Sequence, residues 1–437
     1  MVRYPTATQR TESLLPRLLY VLLDGVGDRP DPTLGGKTPL EAAQTPSLDT
    51  LASRGVSGLV HSVGEKVSPE SDIAVFNMLG YSFGDDYFGR GVVEALGLGL
   101  DFRTGDLALR ANFATLRDDG TIGDRRAGRD LTREETTLLA KGITEQVKLP
   151  GASTFQFEPT VGHRAVLTIR VPGTKLSANI GNTDPAYARV GGMGVAKEGL
   201  ATLKPERSVP LDDSPVARWS ADLVNAFSEK AHEILQTHPV NHARRRTGKM
   251  AANVILLRDA GNTRPSLTPI PEKYGLRFAC LLDMPVEKGV ALLTGMDQHH
   301  GGAVDDYEYK ATQALRLLAD YEAVYVHIKG PDEPGHDGLS EEKKKVIEDL
   351  DSRFFTPIKQ HILTGALSLI VSADHATPCQ LKAHSSDPVP LLVTGPGIRS
   401  DGTKRFTESA ARRGSLGVLR GVDVLPRALR LLAQELG

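Results

Sequence analysis

The chain has few cysteines and no long apolar run. Only two cysteines, Cys280 and Cys379, occur among its 437 residues, and they do not form a CxxC pair. Two isolated cysteines are typical of a protein from a reducing cytoplasm, where burial is the expected fate of Cys379. No apolar run reaches the length of a membrane-spanning helix, and the polar opening at residues 1–13 is not predicted to be a signal peptide.

The chain also lacks an excess of charge of either sign. Lysine and arginine total 52 and aspartate and glutamate total 54, so the formal net charge is -2. This balance gives no reason to expect nucleic acid or an anionic membrane as a partner. The sequence contains no internal repeat or low-complexity segment and is long enough for two domains. Whether the protein forms a homo-oligomer is left open.

Polar side chains follow three apolar, strand-like runs. The runs cover residues 18–23, 323–329 and 366–373, and the residues that follow them are Asp24, Asp332, His336, Asp374 and His375. In an open α/β sheet, ions and substrates bind outside the carboxyl ends of the strands. We therefore expect these side chains to converge, with Asp24 and Asp374 as neighbours.

The segment after the second run contains two prolines and three glycines between residues 330 and 338. This composition is predicted to exclude a helix, so that Asp332 and His336 would meet through loop geometry. His384 follows the third run after a short loop and precedes another apolar run at residues 389–394. Together, three carboxylates and three histidines are expected near one edge of the sheet.

These residues have ordinary structural roles when each is taken alone. An aspartate after a strand usually caps a turn or helix, and a lone histidine usually belongs to the surface or the core. The same pattern at three strand ends favours a metal site instead. Histidine suits zinc, manganese, cobalt or nickel, whereas magnesium and calcium use oxygen ligands almost alone. The sequence predicts two transition-metal ions, which can clamp the oxygens of a phosphoryl transfer.

Ser71 is the predicted nucleophile. Residues 67–80 read VSPESDIAVFNMLG, and this pattern predicts a helix that begins near Ser71. The amino end of a helix favours an anion, and a divalent cation would lower the pKa of the serine hydroxyl. From this segment alone, a helix N-cap is the simpler role for Ser71.

These motifs give the chain a family resemblance, which runs from about Leu19 to near the C-terminus. It resembles the archaeal-type cofactor-independent (2,3-bisphosphoglycerate-independent) phosphoglycerate mutases of the alkaline phosphatase superfamily. The segments that carry the resemblance are LLDGVGDRP, GKTPLEAAQTPSLDTLASRG, SPESDIAVFNMLGY, GRGVVEALGLGL, RANFAT with DRRAGR, HPVNHARRRTGKMAANVILLRDAG, HIKGPDEPGHDG and SADHATP with His384.

The resemblance implies an α/β fold with an alkaline-phosphatase-like core, in which helices flank a mostly parallel central sheet, and a smaller inserted α+β lid domain. It implies a site for two divalent metal ions. These ions are manganese, cobalt or zinc, and magnesium is the alternative. Their implied ligands are Asp332, His336 and His384 for one ion, and Asp24, Ser71, Asp374 and His375 for the other. The implied reaction interconverts 3-phosphoglycerate and 2-phosphoglycerate in glycolysis and gluconeogenesis. It proceeds through a phosphoserine on Ser71 and needs no bisphosphoglycerate.

The sequence has room for an inserted domain. More than two hundred residues separate the GRGVVEALGLGL segment from the Asp332 loop, far too many for a simple crossover connection. Residues 103–265 are therefore predicted to form an inserted domain, and residues 1–102 and 266–437 a discontinuous metal-binding core. Apolar spacing predicts a helix at residues 216–237 of the insert. Closure of such a domain would exclude water while a phosphoenzyme and a free glycerate coexist.

Guanidinium groups are expected to bind the phosphate and carboxylate of the substrate, because they bind both in a bidentate fashion. The candidates are Arg125, Arg126, Arg129, His163, Arg164, Arg258 and Lys329. For each arginine, a solvated surface position is the alternative. Lys329 is the stronger candidate because it ends the strand that presents Asp332. The histidines and arginines between His238 and Arg246 are expected to be structural.

Two residues depart from the family pattern, in which glycine is common at both positions. Glu70 directly precedes Ser71, and Asp259 follows Arg258 and is expected to pair with it. Two further classes of function stay open. One is a metal-dependent phosphatase, phosphopentomutase or phosphonate-processing enzyme of the same superfamily. The other is a binding protein that has kept the fold without catalysis.

Overall fold

A computed structural model describes residues 17–83, 87–190, 193–197 and 203–434 of the chain. The opening residues 1–13 lie outside the described residues. The strands of the described residues are β1 (Arg17–Leu23), β2 (Val56–His61), β3 (Leu107–Leu116), β4 (Ile122–Asp124), β5 (Thr154–Pro159), β6 (Arg164–Arg170), β7 (Tyr187–Val190), β8 (Met193–Ala196), β9 (Val254–Gly261), β10 (Phe278–Leu282), β11 (Asp297–His300), β12 (Ala323–Ile328), β13 (Leu367–Ser372), β14 (Val389–Thr394) and β15 (Gly417–Arg420).

The same residues form α-helices between these strands. They are α1 (Pro39–Ala42), α2 (Pro46–Ala52), α3 (Ser71–Met78), α4 (Arg90–Gly97), α5 (Arg133–Gln146), α6 (Pro215–Gln236), α7 (Pro239–Arg246), α8 (Ile270–Tyr274), α9 (Pro285–Thr294), α10 (Tyr307–Leu317), α11 (Asp332–Asp337), α12 (Ser340–Leu350), α13 (Thr356–Leu363), α14 (Glu408–Ala411) and α15 (Gly421–Gln434). Short 3₁₀ turns lie at Pro32–Leu34 and Ala127–Arg129, and a π-helical turn at Asp351–Phe355 joins α12 to α13.

The chain divides into two compact units. The first contains the described residues up to Ser82, Leu267–Asp283, and the described residues from Val290 onward. Its eight-stranded sheet has the order β11-β10-β12-β1-β13-β14-β2-β15. Only β14 among these strands runs antiparallel to its neighbours, and helices pack against the sheet. The prediction of an α/β fold with a mostly parallel central sheet is confirmed.

The middle of this sheet explains how distant residues come together. The strand β1 lies between β12 and β13 and is parallel to both, with Leu22 opposite His327 on one side and Ser372 on the other. All three strands are apolar and buried almost end to end, as is typical of parallel strands that are covered on both faces. Because their carboxyl ends share one edge, the segments that follow them begin side by side.

The second unit contains the described residues of 83–266 and residues 284–289. Its main sheet is antiparallel, with the order β4-β3-β6-β5 and with β9 paired to β3, and β7 pairs with β8 separately. Helices α5 and α6 contribute to the apolar core of this unit, in which the ring of Phe227 packs against Phe157. The helix predicted at residues 216–237 is α6. The domain boundaries predicted from the sequence remain a prediction.

One local prediction is wrong, because the segment after β12 contains the helix α11 (Asp332–Asp337). Its prolines do not disrupt it. Pro331 is the N-cap residue and Pro334 lies in the first turn, where a backbone N–H has no intrahelical partner. Gly338 ends the helix in a left-handed conformation with φ of 77°. Asp332 and His336 therefore lie four residues apart on one helical face rather than in a loop.

Two further observations concern the composition of the chain. None of the helices in the described residues combines the length and apolar character that crossing a membrane needs. Both cysteines are buried and carry free thiols.

The glycines of residues 181–194 indicate a turn. In the structure this segment contains β7 and the start of β8, and Gly191 and Gly192 lie outside the described residues.

Candidate functional site

Three of the predicted metal ligands form one group. Asp332 and His336 lie on α11, and His384 lies in the segment between β13 and β14. The Asp332 Oδ2 atom is 3.5 Å from His336 Nε2, and the Asp332 Oδ1 atom is 3.6 Å from His384 Nε2. Ligand atoms of all three residues lie close enough together to hold one metal ion.

The other predicted ligands form a second group around His375. The Nε2 atom of His375 is 3.3 Å from Asp24 Oδ1, 3.2 Å from Asp374 Oδ2 and 3.2 Å from Ser71 Oγ. Ser71 is the first residue of α3, and the N-cap position is occupied by Glu70. The simpler role of Ser71 as an N-cap is therefore wrong. The two groups adjoin each other, since the rings of His375 and His384 stack with centroids 3.6 Å apart.

The spacing and chemistry of these atoms fit divalent ions. Around a tetrahedral ion with bonds of about 2.0–2.1 Å, neighbouring ligand atoms lie roughly 3.3–3.4 Å apart, close to the distances around His375. Asp24 Oδ1 and Asp374 Oδ2 are also buried without a hydrogen-bond donor. A buried carboxylate oxygen without a donor is unfavourable unless a cation compensates it. The mixture of carboxylate and imidazole favours transition metals.

The pKa values of these groups keep the carboxylates ionised. Burial alone would raise the pKa of Asp24, but the Lys329 ammonium, whose Nζ atom is 2.7 Å from Asp24 Oδ2, lowers it well below its usual range. Burial likewise opposes ionisation of Asp374, and the neighbouring His375 and His327 hold its pKa well below the ordinary value. Burial and the charge of His375 lower the pKa of His384 to about 4. The carboxylates are thus anions that a cation can bind.

His327 is a residue of this site that the sequence predictions missed. It lies within β12, and its Nε2 atom is 3.4 Å from Asp374 Oδ2. With Asp24 and Asp374 it forms a further group of buried side chains whose ligand atoms lie close together. The signal that could have revealed it is a single ionisable residue inside an otherwise apolar strand.

Most of the predicted substrate-binding residues lie in the second unit, and two of them, Arg164 and Arg258, lie on strands that pair with β3. Arg110 of β3 is opposite Arg258 of β9, and Asn112 of β3 is opposite Arg164 of β6. His163 is buried directly before β6. Burial lowers the pKa of His163 to about 2, and the charges of Arg164, Arg126, Arg258 and Arg110 add to the shift. The second unit therefore contains a cationic cluster, in which Arg110 was not predicted.

Two arginines of this cluster have carboxylate partners. The Arg110 Nε atom is 3.1 Å from Glu94 Oε1, and the Arg258 Nη1 atom is 3.1 Å from Asp184 Oδ2. Arg164, by contrast, forms no ion pair with any of the described residues. Burial and repulsion by Arg110 and Arg90 lower the pKa of Arg164 to about 10. An anion bound here would relieve this repulsion.

The remaining candidates have different surroundings. Arg125 forms an ion pair with Asp184, Arg126 is half-buried, and Arg129 is exposed in a left-handed conformation with φ of 58°. Arg244 is almost fully buried and bonds to Glu135, in line with a structural role.

Asp259 also has left-handed backbone, with φ of 59°, and lies 3.2 Å from the Arg258 Nε atom. Such backbone favours glycine, so Asp259 adopts here a conformation that residues with a side chain seldom adopt.

Comparison with known proteins gives matches along nearly the whole chain. The sequence profile of the family described as 2,3-bisphosphoglycerate-independent phosphoglycerate mutase matches residues 52–241. A relative of that name from Aeropyrum pernix is 42% identical over 428 residues, which cover 95% of this chain and 100% of the relative. Another of the same name, from Pyrococcus furiosus, is 39% identical over 420 residues and covers 95% of this chain and 97% of the relative.

Solved structures give a consistent result. A protein from Pyrococcus horikoshii matches with a TM-score of 0.75 and 32% identity, over 96% of this chain and 98% of the other. A cofactor-independent phosphoglycerate mutase from Thermoplasma acidophilum matches with a TM-score of 0.59 and 34% identity, over 96% of this chain and 100% of the other. The similarity therefore extends over both units in sequence and in fold.

Proposed function

The chain belongs to the family of 2,3-bisphosphoglycerate-independent phosphoglycerate mutases, and we propose that it transfers the phosphoryl group through Ser71 at a site for two divalent ions. As a member of that family it is an enzyme, an isomerase that interconverts 3-phosphoglycerate and 2-phosphoglycerate and so serves glycolysis and gluconeogenesis. The observation that carries the proposal is the position of the Ser71 hydroxyl, 3.2 Å from His375 Nε2 at the start of α3.

The proposed reaction has two transfers. The Ser71 hydroxyl loses its proton and its oxygen attacks phosphorus, the bond from phosphorus to the glycerate oxygen breaks, and that oxygen takes up one proton, so that the protons balance. The glycerate then turns, and its other hydroxyl attacks the phosphoserine, which returns the Ser71 hydroxyl. The backbone N–H groups at the start of α3 favour the phosphoryl anion near Ser71. Because phosphate returns to the same glycerate, no bisphosphoglycerate is needed.

The proposed ions have assigned ligands. One ion would be held by Asp332, His336 and His384, and the other by Asp24, Ser71, Asp374 and His375. Manganese, cobalt or zinc suit these ligands better than magnesium, because histidine nitrogens are among them. When bound, such ions lower the pKa of the serine hydroxyl and stabilise charge on the phosphoryl oxygens. We also propose that Lys329 binds the substrate phosphoryl group, as its ammonium already lies against Asp24.

The cationic cluster of the second unit is proposed to bind the anionic groups of the glycerate. The residues in and around this cluster that we propose to contact the substrate are Arg126, Arg129, His163, Arg164 and Arg258. The repulsion around Arg164 supports this role, because an anionic substrate would offset the charges of Arg110 and Arg90, which the nearby Glu94 carboxylate offsets only in part. A cytoplasmic location is proposed from the two buried free thiols.

A coupled assay tests the proposed reaction. The protein is incubated with 3-phosphoglycerate, manganese or cobalt, and enolase, without bisphosphoglycerate. We expect phosphoenolpyruvate to form, because 2-phosphoglycerate is the substrate of enolase. Release of inorganic phosphate instead would indicate a hydrolase, and no turnover with any divalent metal would indicate a binding protein without catalysis.

Substitution of Arg164 separates substrate binding from structure. We expect Arg164→Gln to raise KM for 3-phosphoglycerate about 10–100-fold. The reason is the loss of a hydrogen bond between charged groups, which contributes about 1.5–3 kcal/mol to binding. The thermal midpoint should stay the same or rise, because the substitution removes the repulsion by Arg110 and Arg90 and leaves Glu94 paired with Arg110. Steady-state kinetics and thermal unfolding measure the two effects.

Arg246→Gln is the matched control, because Arg246 is exposed at the end of α7 and lies outside the cationic cluster. It should change neither KM nor the thermal midpoint. An unchanged KM in Arg164→Gln would remove Arg164 from substrate binding. A lowered midpoint would show that Arg164 stabilises the fold instead.

A further inference from the structure

The three histidines of the metal groups share one orientation. Each directs Nε2 towards the carboxylates and uses Nδ1 for a bond to another part of the protein. The Nδ1 atom of His336 is 3.1 Å from the Lys382 carbonyl oxygen, and that of His384 is 2.7 Å from the Pro69 carbonyl oxygen. Because a carbonyl oxygen only accepts, each of these Nδ1 atoms carries a proton, and Nε2 is left free to bind a cation.

His375 differs, because its Nδ1 atom bonds to a hydroxyl. The Thr377 Oγ1 atom is 3.1 Å from His375 Nδ1 and donates a hydrogen bond to Asp332 Oδ1 at 2.6 Å. A hydroxyl has one proton, and the short bond to the carboxylate uses it. Thr377 Oγ1 must then accept a proton from His375 Nδ1. When an ion replaces the proton on Nε2, this proton count leaves the remaining proton of His375 on Nδ1, which is the tautomer that the carbonyl groups impose on the other two histidines.

We propose that Thr377 is a positioning residue for both metal groups, which orients Asp332 of one group and fixes the tautomer and ring orientation of His375 of the other. A single hydroxyl thus links the two groups. The inference rests on the metal-binding part of the proposed function. It goes beyond the assigned ligands, because Thr377 is not one of them.

Thr377 is held firmly enough for this role. Its backbone N–H donates to the Gly27 carbonyl oxygen at 3.0 Å, and its own carbonyl oxygen accepts from Lys343 Nζ at 2.9 Å. Lys343 is fully buried and also donates to Gly27 O and to the Asp28 carboxylate, at 3.1 and 2.8 Å. Lys343 therefore joins α12 to the segments that follow β1 and β13.

The packing around the hydroxyl leaves little freedom. A Cβ atom at Gly25, where φ is 62°, would lie 2.7 Å from both Asp332 Oδ1 and Thr377 Oγ1. A Cβ atom at Gly335 of α11 would lie 2.5 Å from the Thr377 carbonyl oxygen. Both distances are shorter than a real contact allows, so glycine at these positions permits the close approach of Thr377 to Asp332.

Two substitutions separate the hydroxyl from the shape of the side chain. Thr377→Val keeps the branched shape and removes the hydroxyl, whereas Thr377→Ser keeps the hydroxyl. Loss of a bond that orients a metal ligand typically lowers metal affinity 10–100-fold. We expect Mn²⁺ to bind about 10–100-fold more weakly to Thr377→Val, and within about threefold of the original affinity to Thr377→Ser. Titration calorimetry and equilibrium dialysis of the full chain measure this.

Thr394→Val is the matched control. Thr394 is also a buried threonine, and it ends β14 and donates to the Arg54 carbonyl oxygen. It should bind Mn²⁺ as the unmodified protein does. Equal affinities in Thr377→Val and the unmodified protein would overturn the inference, as would equal weakening by Val and Ser. If the unmodified protein itself binds no Mn²⁺, the metal-binding proposal fails, and this inference fails with it.

A second measurement needs no variant at Thr377 and remains decisive if Thr377→Val does not fold. Long-range ¹H–¹⁵N spectra of the zinc-loaded protein report which ring nitrogen of each histidine carries a proton. His375, assigned through the missing signals of His375→Gln, should carry it on Nδ1. A proton on Nε2 of His375 would overturn the inference.

Discussion

Ser71→Ala is expected to abolish mutase turnover, by at least about 10³-fold in kcat, because a methyl group cannot accept a phosphoryl group. The effect should be far larger than that of Arg164→Gln, since it removes the reacting atom instead of one contact to the substrate. Metal content should remain largely intact, because three other side chains remain for the ion beside Ser71. The coupled enolase assay and elemental analysis measure the two quantities.

Ser368→Ala is the matched control for this prediction. Ser368 lies fully buried in β13 of the same unit, and its Oγ atom has no hydrogen-bond partner in the described structure. Its removal should leave turnover unchanged. Substantial residual turnover in Ser71→Ala would exclude Ser71 as the phosphoryl acceptor. Loss of metal together with turnover would make Ser71 chiefly a metal ligand, so both measurements are required.

Trapping of the intermediate gives an independent readout. Brief incubation with 3-phosphoglycerate labelled in its phosphoryl group should transfer label to the peptide that contains Ser71. Ser71→Ala should take up none. Label on another residue would relocate the nucleophile while leaving the reaction class unchanged.

The proximity of the proposed metal ligands could be predicted from the sequence, because the positions of these residues follow from sheet topology. A parallel strand that is buried on both faces is an apolar run, and polar residues after it stand out. The strands β12, β1 and β13 are adjacent, so the residues after them begin at one edge. The topology itself was not needed, because the carboxyl edge collects ligands whichever parallel strands are neighbours.

The other features depended on information that strand-end reasoning ignores. His327 and Arg110 lie inside strands, and strand-end reasoning does not consider an ionisable residue within an apolar run. Thr377 has an ordinary residue type, and only coordinates reveal that its hydroxyl contacts two ligands at once. The sequence prediction excluded helix α11 because of its two prolines. These prolines lie at the N-cap and in the first turn, where proline does not disrupt a helix. Composition alone thus gives the wrong local structure where position determines the effect.

Removal of the metal ions is expected to abolish turnover as completely as Ser71→Ala. Dialysis against a chelator should lower kcat at least about 10³-fold, because the serine hydroxyl and the phosphoryl oxygens lose the cations that stabilise their charge. Manganese, cobalt or zinc should restore turnover, and magnesium less well. Calcium should restore little, since it prefers a shell of six to eight oxygens, and these groups present imidazole nitrogens.

Metal binding should also appear as stability, independently of catalysis. An ion present at about 1,000 times its dissociation constant raises the free energy of unfolding by about 4 kcal/mol, because it binds the folded state alone. The thermal midpoint of the stripped protein should therefore rise by several degrees on addition of Mn²⁺. Thermal unfolding at several Mn²⁺ concentrations measures the effect without any substrate.

A pair of histidine variants connects this stability to the assigned ligands. His384→Gln removes one nitrogen from the group of Asp332 and should reduce both the Mn²⁺-dependent rise in midpoint and the recovered turnover. His361→Gln changes an exposed histidine of α13 and should alter neither. If His384→Gln keeps the full rise in midpoint, the ion binds elsewhere. If chelation leaves turnover intact, the transfer to Ser71 must be driven by the lysine and arginine side chains alone, and the two-ion proposal is wrong.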